Sequence, residues 1–188
     1  MPLRNTAEAY GSFAKFLHWA IVLLIIPQYF LAEAAEDLEA GLEKLQIMTW
    51  HKSLGMLVLM LDLVRIGWKI INRPHPSPIG VTWQRKAAAA GHGLLYLLIL
   101  LQPLTGWIVS SSGNAPVTLF GWFQFPAIVA ENHDLHETFE DVHKFLFNTL
   151  LAVVAVHIGA ALYHHFMLKD NVLRRMLPFS KPVVREVR

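Results

Sequence analysis

Four histidines lie within or at the ends of long apolar stretches of this chain: His18, His51, His143 and His157. Because a titratable ring is costly in hydrocarbon, each is expected to have a partner or a chemical task. His143 and His157 are fourteen residues apart on one predicted helix. They should therefore lie about 21 Å apart along its axis and on nearly the same face. Two equivalent sites at that separation would suit electron transfer across a membrane.

The composition predicts an integral membrane protein. Of the 188 residues, 54% are hydrophobic and only 16% are charged, against roughly 25% charged in a soluble domain. The mean hydropathy is +0.40. The elements that position the histidines are therefore expected to be membrane helices.

Four stretches are each near the roughly 20 residues that a helix needs to cross hydrocarbon. They are 13–32, 48–71, 91–109 and 145–168. The sequence predicts an all-α membrane protein, a single domain over residues 1–188 folded as a four-helix up-down bundle. The first apolar run is longer than that of a signal peptide, so we expect it to be retained as a span.

Charged residues divide between the two sides of this predicted bundle. Basic residues flank the first span, occupy the connection between spans two and three, and dominate the tail: Arg4, Lys15, Lys69, Arg73, Arg85, Lys86, Lys169, Arg174, Arg175, Lys181, Arg185 and Arg188. The other two connections hold the acids Glu33, Glu36, Asp37, Glu39, Glu43, Glu131, Asp134, Glu137, Glu140 and Asp141. By the positive-inside rule, both termini are predicted to face the cytoplasm. The sequence pI near 9.0 then reflects an inner basic rim, and no nucleic-acid partner is expected.

The chain contains no cysteine. This excludes disulfides, iron–sulfur ligation and the covalent attachment of c-type haem, which needs a C-x-x-C-H motif. A redox cofactor would have to be held by histidine and by packing, which favours non-covalent b-type haem.

The four histidines sort into two pairs by their predicted depth. His18 and His157 lie in the inner halves of spans one and four, whereas His51 and His143 open spans two and four at the outer face. Each pair could supply both axial ligands of a haem iron, although imidazole also binds zinc and copper. His92 opens span three at the inner side, so by depth alone it could replace His18 or His157.

Three basic residues near these histidines are candidate partners for haem propionates. Lys52 follows His51 and Lys144 follows His143, although lysines near an interface often extend to water without such a role. Arg65 is fourteen residues after His51 and reaches the inner depth. It could hold an inner propionate or pair with Asp62, three residues earlier.

Two further histidines, His164 and His165, lie at the inner interface, and His164 is two helical turns beyond His157. They could belong to a polar belt or contact a quinone or a propionate.

With these residues in view, the chain resembles the bacterial cytochrome b561 family over about residues 4–178. Spans one and two carry Phe16-Leu17-His18-Trp19 and Trp50-His51-Lys52-Ser53-Leu54-Gly55. Span three carries Gly91-His92-Gly93-Leu94-Leu95-Tyr96-Leu97-Leu98, and the fourth region carries Val142-His143 and Val156-His157. The most distinctive segment is the tail His164-His165-Phe166-Met167-Leu168-Lys169-Asp170-Asn171-Val172-Leu173-Arg174-Arg175-Met176-Leu177-Pro178.

The resemblance implies a multi-pass cytochrome of the bacterial inner membrane with two haem b groups. It implies that His18 and His157 bind the inner haem and that His51 and His143 bind the outer one, which disfavours His92. It also implies electron exchange with the quinone pool, with ubiquinone as the expected substrate. Relatives include a superoxide oxidase, which passes electrons from superoxide to ubiquinone.

The predicted outer surface is acidic, with ten acids against Lys44, Lys52 and Lys144, or a charge of about −7. Such a field repels the superoxide anion and attracts a cationic partner protein. We therefore expect the outer electron donor to be a cationic periplasmic protein as readily as superoxide. Two alternatives stay open: a cytochrome b subunit that anchors a dehydrogenase or hydrogenase, and a haem-free transporter with histidine relays.

Overall fold

The computed structural model describes residues 2–72 and 79–180 as four long helices and one small hairpin. The helices are α1 (Ser12–Glu36), α2 (Leu42–Ile71), α3 (Thr82–Ser112) and α4 (His133–Phe166). Between α3 and α4 lie the strands β1 (Val117–Leu119) and β2 (Phe123–Phe125). Of the basic residues used to orient the chain, Arg73, Lys181, Arg185 and Arg188 lie outside the described residues.

Three of the predicted spans lie within a helix, and the helices extend beyond them. α3 begins nine residues before residue 91, and α4 begins twelve residues before residue 145. These additions are mostly polar or alanine-rich, because a helix can continue into water after its hydrocarbon-spanning part ends. The fourth span was predicted two residues too long, since α4 ends at Phe166. There the backbone N–H groups of Met167 and Leu168 both donate to Tyr163 O, and Lys169 turns the chain at φ 51°.

Three helices, α1, α3 and α4, are long and apolar enough to cross a membrane. Their apolar windows are only 6–28% buried within the protein, which leaves large side chains such as Phe30, Leu97 and Val156 facing outward. A soluble monomer rarely exposes apolar surface on this scale, so lipid is the environment that suits it. Charged side chains interrupt the apolar run of α2, and this helix does not meet the same criterion.

The helices pack in chain order around a shared buried cluster. Ile21, Val58, Leu98, Ile99 and Leu150 form its buried centre, so all four helices contribute to it. Backbone contacts join α1 to α2, α2 to α3, and α3 to α4. Within the described residues, α1 and α4 instead meet through side chains, as where the rings of Tyr29 and Phe147 stack with centres 6.0 Å apart.

The hairpin was not predicted from the sequence. Its strands pair antiparallel, with Val117 opposite Phe125, and its turn places Phe120 and Gly121 at φ 53° and 78°. Ser53, fully buried on α2, fastens it: the Ser53 hydroxyl lies 2.7 Å from Thr118 O and accepts the Phe120 N–H at 3.0 Å. The hairpin is thereby held against the His51 end of α2.

The segment after α4 folds back across the opposite end of the bundle. The Trp19 indole donates to Met176 O at 2.9 Å, and Lys15 Nζ donates to Leu177 O at 3.0 Å. The family-like tail is therefore packed against the start of α1.

Candidate functional site

The predicted inner pair meets between α1 and α4. The ring centres of His18 and His157 are 6.4 Å apart and the ring planes are inclined by 65°. Both side chains are half-buried. Residues 139 positions apart in sequence are therefore brought face to face in the same half of the bundle.

The predicted outer pair meets between α2 and α4 with the same separation. The ring centres of His51 and His143 are 6.4 Å apart, at an interplanar angle of 78°. α4 thus supplies one histidine to each pair, fourteen residues apart, which corresponds to about 21 Å along the helix.

Both spacings match two imidazoles that bind one metal atom from opposite sides. A metal–imidazole nitrogen bond is about 2.0–2.1 Å long, so the two ring centres of such a pair are roughly 6–6.5 Å apart. Among the described residues, no three His, Asp or Glu side chains converge on one metal position. Each site therefore offers two protein ligands, as bis-histidine haem requires, and not the three or four of a bare zinc centre.

His92 also lies close to His157. Its ring centre is 5.5 Å from that of His157, about 1 Å closer than the spacing in either predicted pair, and its residue is exposed where His18 is half-buried. The geometry therefore favours His18 over His92 as the partner of His157 across a metal.

Residues of α3 surround the His143 ring. Thr105 Oγ1 lies 3.0 Å from His143 Nδ1, and Gln102 Nε2 lies 3.2 Å from both His143 Nε2 and His143 O. A Cβ atom added at Gly106 would lie 3.0 Å from His143 Cε1. The His143 ring therefore packs against Gly106, the residue of this α3 turn that has no side chain.

The inner pair has a cationic neighbour instead. Arg65 Nη2 donates to His18 Nδ1 at 3.1 Å, and the Arg65 guanidinium lies 4.8 Å from the centre of the Tyr96 ring. Asp62 is fully buried, but within the described residues neither of its carboxylate oxygens has a hydrogen-bond partner. The Asp62–Arg65 pair considered as an alternative is therefore not formed.

The segment before α1 packs against the inner end of the bundle. Burial raises the pKa of Tyr10 above its usual value, and the neighbouring Tyr96 acts in the same direction. Asn5 donates to Asn72 O at 3.4 Å and accepts the Gly11 N–H at 3.0 Å. This segment, α1 and α2 are thereby joined beside the inner pair.

Comparison with known proteins shows the family of this chain. The model of the family described as prokaryotic cytochrome b561 matches residues 9–179. The chain is 32% identical to "Cytochrome b561 homolog 2" of Escherichia coli over 94% of this chain and 95% of the relative. It is 31% identical to the "Probable superoxide oxidase CybB" of Yersinia pestis, over 86% and 92% of the two chains. It is 32% identical to "Cytochrome b562" of Cereibacter sphaeroides, over 86% and 90%.

The chain belongs to the prokaryotic cytochrome b561 family. The resemblance predicted from the sequence is thereby confirmed. As a member, the chain is a membrane electron-transfer cytochrome that binds haem b. Family membership also removes the haem-free transporter from the alternatives.

In this cytochrome b561, the donor chemistry of the outer pair fits a haem iron. His51 Nδ1 is buried and, within the described residues, has no hydrogen-bond partner. Both outer rings are half-buried, and burial favours a neutral imidazole over a charged one. A neutral imidazole is the form that binds a metal.

The two lysines beside the outer pair point in different directions. Lys52 Nζ lies 3.4 Å from Pro116 O, at the base of the hairpin. Lys144 Nζ lies 2.9 Å from Glu140 and 3.7 Å from Glu36 and is largely exposed. Lys144 is thus paired with acids, which weakens its candidacy as a propionate partner and leaves Lys52 as the better placed of the two.

The two histidines at the end of α4 also differ. His164 Nδ1 lies 2.6 Å from Asp170 Oδ2, and Asp170 Oδ1 accepts the Val172 N–H at 2.9 Å. His165 Nδ1 is buried without a hydrogen-bond partner in the described part of the chain. His164 therefore stabilises the turn from α4 into the tail. His165 instead keeps a ring nitrogen without a hydrogen-bond partner among the described residues.

Sequence reasoning missed Thr105 and Ser53, the α2 residue that binds the hairpin. A signal for Thr105 was present, since it lies three residues after Gln102, the clearest uncharged polar residue of its span. Residues at this spacing share a helix face, and two polar residues on one face of an apolar helix indicate a polar partner. Ser53 gave no such signal, because its partners lie in a hairpin that was not predicted.

Proposed function

We propose that this cytochrome b561 carries two haem b groups and transfers electrons across the bacterial inner membrane between an outer donor and the quinone pool. His18 and His157 are proposed as the axial ligands of the inner haem, and His51 and His143 as those of the outer haem. The observation that carries the proposal is the equal separation of the two ring pairs, 6.4 Å in each, at two levels of α4.

The protein's task in this function is to hold and tune the two sites. Haem iron between two histidines carries one electron at a time and leaves no position open for oxygen, so no catalytic triad is expected. α4 sets the distance between the two levels through its rigid rise per residue.

Arg65 is proposed as a partner of an inner haem propionate. A neutral histidine that binds iron through Nε2 carries its proton on Nδ1, and that N–H cannot accept a hydrogen bond from Arg65. If His18 binds iron through Nε2, the Arg65 guanidinium must therefore donate to another acceptor within reach of its side chain. A carboxylate such as a propionate matches its fork of donors and its charge. Lys52 is the corresponding proposal for the outer haem.

α2 is proposed as the fourth membrane span, with both termini on the cytoplasmic side. Its predicted span contains Asp62 and Arg65, both turned into the bundle: Asp62 is fully buried, and Arg65 lies against His18 and Tyr96. Charged residues that face a bundle interior are compatible with a membrane helix. The described basic residues of the inner side agree with the positive-inside rule.

Quinone is proposed to exchange electrons near the inner pair. His165 supports this placement, because its buried Nδ1 has no hydrogen-bond partner among the described residues. A quinone carbonyl could accept a hydrogen bond from this nitrogen, and a quinol hydroxyl could donate one to it. Ubiquinone is the proposed substrate, by analogy with what the family resemblance implied.

The outer donor is proposed to be a cationic redox protein in preference to superoxide. Lys144, one of three outer lysines, is paired with Glu140 and Glu36, and Lys44 Nζ is bonded to Leu38 O. These two lysines are therefore already engaged within the protein. An approaching molecule would meet mainly the negative charge of the α4 acids that precede Lys144. An acidic surface of this kind accelerates association with a cation and slows it for an anion.

Stopped-flow mixing at low and high salt separates the two donors. Haem reduction by a cationic donor protein should slow as salt rises, and any reduction by superoxide should be slow at low salt and accelerate with screening. Rapid reduction by superoxide that slows as salt rises would reject the preference for a cationic donor.

A second candidate function, the membrane anchor of a peripheral dehydrogenase or hydrogenase, is favoured by the same acidic surface. α4 begins twelve residues before the predicted span. This extension and the hairpin would together form the surface on which such a subunit docks. Purification of the natural complex under mild detergent separates the two candidates: a stoichiometric dehydrogenase subunit would favour the anchor, and a chain isolated alone with quinone reductase activity would favour the stand-alone cytochrome.

The central experiment counts the haems. Dithionite-reduced minus oxidised spectra with a pyridine haemochrome assay should give two b-type haems per chain. One haem per chain would reject the two-site proposal, and a folded, colourless protein would reject haem binding at the predicted pairs altogether.

A further inference from the structure

Thr105 makes the closest polar contact to a ring nitrogen of the outer pair. This threonine on α3 is buried, with 6% of its surface exposed. Its Oγ1 lies 3.0 Å from His143 Nδ1. The same hydroxyl lies 2.9 Å from Gln102 O and 3.0 Å from Leu101 O, the backbone acceptors of its own helix.

The proton count at Thr105 fixes the direction of this hydrogen bond. A threonine hydroxyl has one proton to donate and two lone pairs. Since carbonyl oxygens only accept, the proton is used toward the helix backbone, and the oxygen is left as an acceptor. His143 Nδ1 must then carry the hydrogen and donate it to Thr105.

Gln102 leads independently to the same tautomer. Its Nε2 lies 3.2 Å from His143 O, and a carbonyl oxygen can only face the amide nitrogen of the side chain, not its oxygen. That amide nitrogen is also 3.2 Å from His143 Nε2. Because the amide N–H donates, His143 Nε2 must accept and therefore carries the lone pair. Iron bound at Nε2 would take this lone pair, and the Gln102 amide would keep His143 O as its acceptor.

His18 and His51 lack this arrangement. The neighbour of His18 Nδ1 is the Arg65 guanidinium, which is a donor, so an Nδ1–H on His18 would face a cation and not an acceptor. His51 Nδ1 is buried without a partner among the described residues. Of these three histidines, His143 is thus the one whose Nδ1–H is matched with a neutral acceptor.

We propose that Thr105 is a positioning residue for the outer haem: its hydroxyl accepts the Nδ1–H of His143, fixes the ring in the tautomer that presents Nε2 to iron, and raises the electron donation of that ligand. This inference rests on the proposed function, which supplies the ligand role of His143. A hydrogen bond from the remote N–H of a ligating histidine makes the metal-bound nitrogen more basic. A more basic ligand stabilises ferric over ferrous iron, so Thr105 lowers the potential of the outer haem.

The test replaces the hydroxyl without changing the shape of the side chain. Thr105→Val should retain two haems and raise the potential of the outer haem, identified as the one that His51→Ala removes. Loss of such a partner changes metal affinity by roughly tenfold or more. A tenfold loss confined to the ferric state corresponds to a rise of about 59 mV for a one-electron couple. Thr105→Ser keeps the hydroxyl and should return the potential close to the wild-type value.

A matched control is Thr149→Val on α4. The Thr149 hydroxyl donates to Phe145 O at 2.9 Å, within its own helix turn, so its loss should leave both potentials unchanged. An unchanged outer potential in Thr105→Val, a Thr105→Ser variant that behaves like Thr105→Val, or a shift confined to the inner haem would each overturn the proposal.

Nitrogen NMR of histidine-labelled protein, as purified, provides a readout that does not depend on activity. The His143 Nδ1 should carry a hydrogen that exchanges slowly with solvent in the wild type and faster in Thr105→Val. A hydrogen found on His143 Nε2 would overturn the proposal even if Thr105→Val does not assemble. Absence of haem with the predicted tautomer present would instead reject the proposed function and leave the Thr105–His143 contact intact.

Discussion

The inner and outer histidine pairs have the same ring separation but opposite surroundings. In both, the ring centres are 6.4 Å apart and one ring comes from α4. In the outer pair, His143 donates to the neutral hydroxyl of Thr105, whereas in the inner pair His18 meets the cation of Arg65. Electron donation to a ligand favours ferric iron and a nearby cation favours ferrous iron. The difference predicts a lower potential outside than inside, and thus inward electron flow.

The largest expected effect is the selective loss of one haem. His51→Ala or His143→Ala should remove the outer haem and leave the inner one, and His157→Ala should do the reverse, because each ring is proposed to supply one of the two histidine bonds to its haem iron. The haem count per chain and the reduced spectrum of the remaining haem provide the measurement.

His133→Ala is the matched control for these variants, since this histidine lies at the exposed start of α4 and pairs with Glu137 at 3.3 Å. It should retain both haems. Loss of both haems in every ligand variant would mean that the two regions do not assemble independently, and the comparison between them would fail.

A smaller effect is expected when the inner cation is removed. Arg65→Gln should lower the inner potential and leave the outer one unchanged. For a charge about 10 Å from the iron, Coulomb's law with an effective dielectric constant near 20 gives about 1.7 kcal/mol, which is tens of millivolts for one electron.

Spectroelectrochemical titration of both haems measures this shift, and Arg65→Lys, which keeps the charge, is the control. If the inner potential rises or stays constant in Arg65→Gln, the Arg65 cation does not raise the inner potential, and the proposed contrast with the outer pair fails.

The next effect concerns the hairpin that covers the outer region only. Ser53→Ala removes a buried hydroxyl that accepts the Phe120 N–H, and leaving such a donor unpaired costs about 1–3 kcal/mol. Amide hydrogen exchange should accelerate at Phe120 and in β1. Exchange near Trp19 and the tail, at the inner end, should not change; acceleration at both ends would indicate global destabilisation instead.

The smallest effect is expected for His92. His92→Ala should retain both haems and change the inner potential only slightly, because the His92 ring lies 5.5 Å from that of His157, closer than two imidazoles on opposite sides of one metal would lie. The haem count again decides, with His18→Ala as the informative comparison. Loss of the inner haem in His92→Ala but not in His18→Ala would exchange the two assignments.

Much of the helical framework could be predicted from the sequence, since it depends on local composition. Long apolar runs specify helices wherever water cannot satisfy the backbone, and three of the four predicted spans lie within helices of the structure. The end of α4 was missed by two residues because it depends on the turn at Lys169 and on the His164–Asp170 contact. The hairpin was missed because its strands have only three residues each, too few for a periodic pattern.

The sequence by itself determined the family and the fourteen-residue spacing of His143 and His157 along α4, because these follow from residue order and the fixed rise of a helix. Only the tertiary structure decided what each ring contacts. Thr105 and His143 are 38 residues apart, Arg65 and His18 are 47 apart, and Ser53 and Thr118 are 65 apart. Such contacts depend on how helices rotate and pack against one another, which no local pattern in the chain specifies.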